Sequence, residues 1–175
     1  SGDYDLLRKS DGGFIVSDRR VGANDGVDTL VNIESLQFSD TAVSTSTIVS
    51  LSTLTSADIS GLAVPVVGGL SKDDMTSLTT SQISVLSTDA ASGFKGAQVA
   101  SLTTTQVRAL STAQLNALTA EAIGALTAVE IAALTTGQLA ALSTSPIKAI
   151  SVGGIGGLTT AQLTALNSAQ IEALT

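Results

Sequence analysis

The 175-residue chain contains no cysteine, no histidine and no tryptophan, and its aromatic residues are one tyrosine and three phenylalanines. Without Cys and His, zinc sites, thiol nucleophiles and histidine-based triads are excluded within this chain. Basic residues are also scarce, because 8 Lys and Arg stand against 15 Asp and Glu, which gives a net charge of −7. This balance argues against a nucleic-acid partner, since a phosphate-binding surface needs clustered Lys and Arg.

Long hydrophobic runs and a leader segment are missing too. No stretch of 18 apolar residues occurs, so the sequence predicts no membrane span. The chain begins with Ser-Gly, lacks a signal peptide and stops at Thr175, two residues into a repeat unit. We therefore expect it to be part of a longer protein. No constellation of acid, base and nucleophile is visible, and we expect no enzyme activity.

Residues 1–45 differ in composition from the rest of the chain. They hold three of the four aromatic residues and 8 of the 15 acids. The stretches DYDLLRKS and FIVSDRR flank Asp11-Gly12-Gly13, which is a hairpin signal, so short strands are predicted. Arg19-Arg20 could bind an anion, but adjacent strand residues point to opposite faces, which favours an ordinary surface.

The phrase GFIVSDRRVGANDGVDTLVNIESLQFSD, which lies within this region, carries a resemblance. It resembles the element that accompanies RTX (haemolysin-type) repeats in bacterial proteins exported by type I secretion. The resemblance implies secretion, β-structure and calcium, and it would place calcium at Asn24, Asp25 and Asp28. The full glycine-rich calcium nonapeptide of that family is absent, and Asx turns in a solvated loop are the competing interpretation.

After a Ser/Thr-rich connector at 46–53, the remainder of the chain, 54–175, repeats every eight residues. A large apolar residue opens each octad, from Leu54 to Leu174, through 15 complete copies without an insertion. We call it position 1. Position 2 is usually Ser or Thr, position 5 is Gln or an acid in most copies, position 6 is apolar and position 8 is small.

The spacing Ser/Thr-x-x-Gln/Glu predicts a capping box, in which a side chain and a backbone N–H satisfy each other at the start of a helix. Positions 1 and 6 fit the hydrophobic staple that accompanies it. A helix is therefore expected to start, and to end, in every octad. The clearest predicted cap pairs are Thr103 with Gln106, Ser111 with Gln114, Thr135 with Gln138, and Thr159 with Gln162.

These patterns predict a mixed fold class, with a small RTX-like β module (1–45) followed by a solenoid of short capped helices. One turn of helix cannot bury its own apolar residues, so stacked copies must share a core. Leu115, Leu139 and Leu163 recur every third octad, which hints at three octads per coil, with two as the alternative. Gly61, Gly69, Gly93 and Gly157 are expected to end helices in a left-handed conformation.

Two rival folds compete with this solenoid. One long helix is disfavoured because a residue repeated every eighth position drifts by about 80° per copy and forms no stripe. A β-solenoid remains the alternative, since Thr and β-branched residues suit strands. The acids at Asp73, Asp74, Glu121 and Glu130 are interpreted as first-turn acids favoured by the helix dipole, and Gly153–Gly157 as a tightly packed stretch.

The leading functional hypothesis is a non-catalytic structural or adhesive segment of a secreted bacterial surface or extracellular-matrix protein. Its expected partners are further copies of itself, end to end or side by side, and a cell-surface or glycan contact. Calcium is the only cofactor considered. The alternatives are the non-catalytic repeat region of a larger secreted enzyme or toxin, and a calcium- or carbohydrate-binding module.

Overall fold

A computed structural model of the chain describes residues 54–174 in full and, before them, the backbone of five short strands. The strands pair as a three-stranded antiparallel sheet in the order β1-β2-β3 and as a two-stranded antiparallel sheet of β4 and β5. Their bounds are β1 Tyr4–Arg8, β2 Phe14–Asp18, β3 Val27–Leu30, β4 Ser35–Gln37 and β5 Ala42–Ser44.

Residues 54–174 fold into 15 helices of four to six residues, one in each octad. Their bounds are α1 Ser56–Ser60, α2 Val64–Gly68, α3 Lys72–Ser77, α4 Thr80–Val85, α5 Thr88–Ser92, α6 Gly96–Val99, α7 Thr104–Ala109, α8 Thr112–Ala117, α9 Ala120–Gly124, α10 Ala128–Ala133, α11 Thr136–Ala140, α12 Thr144–Ala149, α13 Val152–Ile155, α14 Thr160–Ala165 and α15 Ser168–Ala173.

Each octad alternates between extended backbone and a short helix. Thr103, at position 2, is extended with φ −74° and ψ 158°, and its hydroxyl accepts a hydrogen bond from the backbone N–H of Gln106. The helix α7 then runs to Ala109, and Leu110 returns to extended backbone with φ −63° and ψ 131°. Helices this short are unstable alone, so their stability must come from packing.

The predicted mixed fold class is wrong and is corrected to a helical repeat over residues 54–174, where the expected solenoid of short capped helices is confirmed. Residues 54–174 are 67% helix and contain no strand, which also overturns the β-solenoid alternative. The physical reason lies in the hydroxyl at position 2, which caps a helix start instead of lining a strand. The β-branched residues at position 6, such as Val107 and Ile131, are fully buried inside helices, where packing overrides their preference for strands.

Three octads make one coil. Helices three places apart in the chain pack on each other, as α1 does on α4, α5 on α8 and α12 on α15, with the pair α8 and α11 as the exception. The described repeat therefore has five coils, and we number them 1 to 5 from α1–α3 to α13–α15. It also has three faces, which we call face A (α1, α4, α7, α10, α13), face B (α2, α5, α8, α11, α14) and face C (α3, α6, α9, α12, α15).

One apolar core runs through the coils. Positions 1 and 6 supply its large side chains, including Phe94, Leu110, Leu115 and Ile131, which are at most 1% exposed. Positions 3, 4 and 7 face outward in nearly every octad and carry mostly Ser, Thr, Ala and Gly. Burial of this periodic apolar set is what places each helix, because every unit covers its neighbours.

The expectation of left-handed glycines at helix ends is wrong where the structure gives the angles. Gly61, Gly69 and Gly93 all have φ between −79° and −89°, in the right-handed region. No left-handed residue is needed, because these glycines continue the right-handed turn, while helices such as α3, α7 and α14 end at an extended position-1 residue. Some glycines are required for space instead: a Cβ on Gly157 would overlap the backbone of Ala128, and a Cβ on Gly93 would lie 2.7 Å from the carbonyl oxygen of Val64.

Candidate functional site

The most distinctive polar feature of the repeat is a set of buried glutamines at position 5. Seven of them lie between residues 54 and 174, and they are between 1% and 8% exposed. They are Gln82, Gln98, Gln106, Gln114, Gln138, Gln162 and Gln170. A buried amide must satisfy both its oxygen and its NH₂ group, so its partners identify its role.

Gln106 shows how one amide joins two coils. Its Oε1 accepts a hydrogen bond of 2.8 Å from the backbone N–H of Thr103, at the start of its own helix α7. Its Nε2 donates to the carbonyl oxygens of Met75 and Leu78, each at 2.7 Å. These two carbonyls lie at the end of α3, four helices earlier, where helices leave carbonyls without intrahelical partners.

The other six glutamines repeat this arrangement, and we call the whole set the glutamine ladder. In all seven, Oε1 accepts from the position-2 N–H at 2.7–3.0 Å. Their Nε2 atoms donate to the carbonyl 28 residues earlier at 2.7–3.2 Å. The ladder therefore fixes both the start of each helix and its height above the previous coil.

Three octads place an acid at position 5, where it can supply only half of these bonds. Asp58, Asp74 and Glu130 each accept from the backbone N–H and the hydroxyl of their own cap residue. A carboxylate has no proton to donate to the carbonyls of the earlier coil. Asp58 is exposed, and the hydrogen bonds from the hydroxyl and then the N–H of Thr55 hold its carboxyl pKa below the ordinary value of 3.8.

The four cap pairs named from the sequence all form capping boxes. Thr103, Ser111, Thr135 and Thr159 each accept the N–H of the glutamine three residues later, whose side chain accepts the N–H of the cap. The sequence did not reveal the second half of the bonding, from the amide NH₂ group to another coil. The carbonyl partner lies 28 residues earlier, so it can be located from the sequence only when the number of octads per coil is known.

Asn116, at position 7 of α8, is a functional polar residue that sequence reasoning missed. Its Oδ1 accepts the N–H of Ser143 at 2.8 Å, and its Nδ2 donates to the carbonyl of Ala141 at 3.2 Å. It therefore links coil 3 to coil 4 from the outside of the repeat. Position 7 is otherwise variable, so no periodic pattern pointed to it.

The candidate calcium residues lie outside the residues whose side chains the structure describes. Asn24 and Asp25 fall between β2 and β3, and Asp28 is described only as backbone within β3. Between residues 54 and 174, no group of three or more Asp or Glu side chains is arranged to hold a metal ion. Calcium binding at Asn24, Asp25 and Asp28 stays a prediction, as does the anion hypothesis for Arg19-Arg20.

The remaining acids are not brought together. Glu121 is exposed on face C, whereas Glu130 is buried in the capping box of α10 at 4% exposure. Asp73 is exposed, but its neighbour Asp74 is fully buried as the position-5 residue of α3.

No helix between residues 54 and 174 is long enough to cross a bilayer.

An open groove lies on face A, between α7 and α10. Its volume is about 490 Å³. It is lined by Thr104, Thr105, Arg108, Val129, Ala132, Ala133, Leu134 and Thr135. The groove is shallow and its lining includes a single charged side chain, that of Arg108, so the structure gives it no defined ligand chemistry.

The outer surface of coil 5 differs from the surfaces between coils. Position-6 side chains are nearly all fully buried by the next coil, but Leu163 is 45% and Ile171 is 51% exposed. These two residues are the equivalents of Leu139 and Ile147, which are fully buried one coil earlier. Coil 5 as described thus presents an apolar surface of the kind that a further coil of the same repeat would cover.

Comparison with known families finds one similarity. A family described as the ALTTAQ repeat matches residues 96–128 and 131–167, which together are less than half of the chain. The matched residues run from α6 through α14 and include five of the seven ladder glutamines. Comparisons with curated proteins and with solved structures found no match.

Proposed function

We propose that this chain is a non-catalytic structural segment of a secreted bacterial surface or extracellular-matrix protein, and that it associates with further copies of itself. The observation that carries the structural role is the glutamine ladder. Its amides are buried and join coil to coil, so the polar groups of the interior hold the repeat together. Among residues 54–174, every buried side-chain nitrogen and oxygen has a hydrogen-bond partner within the repeat.

Secretion and surface location are supported by the phrase at residues 13–40 that resembles RTX-associated elements. Adhesion is supported by the outward positions, which present many small hydroxyl and methyl groups and few charges. Such surfaces suit repeated weak contacts, because a solenoid multiplies each contact along its length. Immunolabelling of intact and lysed cells of the native host tests the location. Label confined to lysed cells would contradict the proposed location.

Self-association is supported by the periodic outer surface, which presents small side chains in successive coils. The test is sedimentation velocity across a concentration series, combined with small-angle X-ray scattering. We expect an elongated, rigid particle whose mass rises with concentration. A particle that scatters like a flexible chain would contradict the structural role, and a strictly constant monomer mass would contradict the self-association.

A further inference from the structure

Exposed charge is concentrated on one face of the repeat. Residues 54–174 have nine exposed charged side chains, and six of them belong to octads of face C. These six are Lys72, Asp73, Lys95, Glu121, Lys148 and Glu172. Within the same residues, faces A and B together expose only Asp58, Asp89 and Arg108. Coils 4 and 5 expose charge on face C alone.

Coil 1 carries one charge of each sign on face C, and from coil 2 to coil 5 the sign alternates from coil to coil. Coil 2 contributes Lys95 at the start of α6, and coil 3 contributes Glu121 on α9. Coil 4 contributes Lys148 on α12, and coil 5 contributes Glu172 on α15. The order along the repeat is therefore positive, negative, positive, negative, which is unchanged when it is reversed and its signs are exchanged.

A pattern of this kind is complementary to itself under a two-fold axis. When the axis lies between coils 3 and 4 and is perpendicular to the repeat, coil 3 of either copy meets coil 4 of the other, and coil 2 meets coil 5. Glu121 of either copy then faces Lys148 of the other, and Lys95 faces Glu172. Each contact occurs twice, whereas a parallel pairing in register would bring like charges together.

The side chains between these charges allow close approach. In the octads of α6, α9, α12 and α15, the exposed positions carry no large residue except the charged ones and Ile171, which lies on the outer surface of coil 5. They include Ala97, Ala100, Ala120, Thr144, Ser145 and Ala169. Short side chains keep the face nearly flat, so oppositely charged groups on two copies could reach each other without steric conflict.

End-to-end stacking of two copies is chemically less well matched. A coil that covers another normally brings Gln amides to the carbonyls below it, as the ladder shows. Coil 1 instead carries Asp58, Val66 and Asp74 at position 5. Val66 and Asp74 are already buried, at 1% and 0% exposure, so coil 1 offers no open row of position-5 amides to place over coil 5 of a second copy.

We propose that face C is a docking surface for a second copy of this chain, in an antiparallel pair held by Glu121 and Lys148 across a two-fold axis. This inference rests on the self-association proposed above and specifies its geometry. It makes association dependent on salt, because the contacts join exposed charges that ions screen over a Debye length of about 10 Å at 0.1 M.

The test exchanges charges on the full chain and measures dimer dissociation by sedimentation and light scattering. K148E places two carboxylates opposite each other at both central contacts, and E121K places two ammonium groups there. We expect each single variant to dissociate about tenfold more readily than the wild type. An equimolar mixture of the two variants pairs opposite charges again, so it should form a heterodimer about as stable as the wild-type dimer. The double variant E121K/K148E should also recover.

Matched controls carry the same charge changes on the other faces. R108E on face A changes the net charge as K148E does, and D89K on face B matches E121K, so both should leave the dimer unchanged. Circular dichroism checks that every variant is folded. If the wild type dimerises but R108E weakens it as much as K148E, or if the mixture fails to recover, face C is not the interface and self-association stands. A wild type that stays monomeric overturns both proposals.

Discussion

The helix pair α7–α8 and the helix pair α12–α13 occupy the same register but are held to the surrounding coils in different ways. The first pair carries Gln106 and Gln114 at position 5, and both amides bond to carbonyls of coils 1 and 2. The second pair carries Pro146 and Gly154 at the same position. Proline offers no backbone N–H, and Ser143 accordingly makes no side-chain cap bond.

The helices of both pairs are nevertheless four to six residues long. The position-6 residue is buried in α7, α8 and α12, and the position-5 residue is buried in α13. Val107, Leu115 and Ile147 are all fully buried. In α13 the lost amide is replaced by close packing, since a Cβ on Gly154 would lie 2.9 Å from the Cγ2 atom of Ile150. The comparison teaches that apolar burial is sufficient to place a helix in the coil, while the amide adds a specific link between coils.

The largest loss of stability is expected from Gln106→Glu in the amide-linked pair α7–α8. The carboxylate still accepts the N–H of Thr103, but its other oxygen faces the carbonyls of Met75 and Leu78 without a proton to share. We expect a loss of about 3 kcal/mol in the free energy of unfolding, measured by urea denaturation at pH 7. Thr105→Glu adds the same charge one residue earlier on the exposed surface, and we expect almost no change.

The second way is to disturb the pair that relies on close packing. Gly157→Ala pushes a methyl group into the backbone of Ala128, and we expect a loss of about 2 kcal/mol from local overpacking. Gly153→Ala, four residues earlier, meets only the Oγ atom of Ser151 at 3.9 Å. That control should raise stability by about 0.5 kcal/mol, because alanine restricts the unfolded chain more than glycine does. Equal effects at both sites would contradict the packing argument.

A smaller effect, and a stabilising one, is expected when the position-5 acid of α10 is replaced by glutamine. Glu130 occupies a ladder position at 4% exposure, and the register places the carbonyls of Val99 and Leu102 where Gln106 finds its own partners. Glu130→Gln supplies the missing NH₂ donor, so we expect a gain of about 1 kcal/mol by thermal or urea unfolding. The exposed Glu121→Gln is the control. A gain no larger than that of the control would show that the second half of the amide bonding adds no stability here.

The smallest expected effect concerns pH at α1. The pKa of Asp58 is lowered in the folded chain, so its contribution to stability is present above the ordinary value of 3.8 and is lost as the pH falls through the folded value. Asp58→Asn keeps an accepting oxygen but does not titrate in this range. The difference in unfolding temperature between wild type and variant should therefore change only below about pH 4. A difference that is constant from pH 7 to pH 2 would contradict this assignment.

Much of the repeat could be predicted because its signals are local. The hydroxyl at position 2 and the Gln at position 5 lie three residues apart, so Thr103 and Gln106 mark a helix start without knowledge of the fold. Leu115 and Leu139, on successive helices of face B, carried the hint of three octads per coil. The capping signal depends on neighbours within one turn of backbone, whereas the hint of three octads comes from a regular recurrence along the sequence.

The remaining features depend on residues far apart in sequence. The bond from Gln106 to Leu78 spans 28 residues, and the close approach of Gly157 to Ala128 spans a similar distance, so neither follows from one octad. The β-solenoid alternative was wrong for the same reason, because it weighed Thr and β-branched residues by local preference. The burial of Asp74 was missed because Asp73 and Asp74 resemble a solvated charged pair unless their register in the octad is considered.

A change in the number of octads would affect the glutamine ladder and the pattern of surface charge in different ways. Any Gln at position 5 finds equivalent carbonyls four helices earlier, so the insertion or loss of a single octad would leave every ladder amide with a backbone carbonyl as its partner. The same event would rotate all later residues by one face and move Lys148, for example, from face C to a neighbouring face. The ladder bonds tolerate the insertion or loss of one octad, whereas the charge pattern of face C is preserved only when three octads are inserted or lost together.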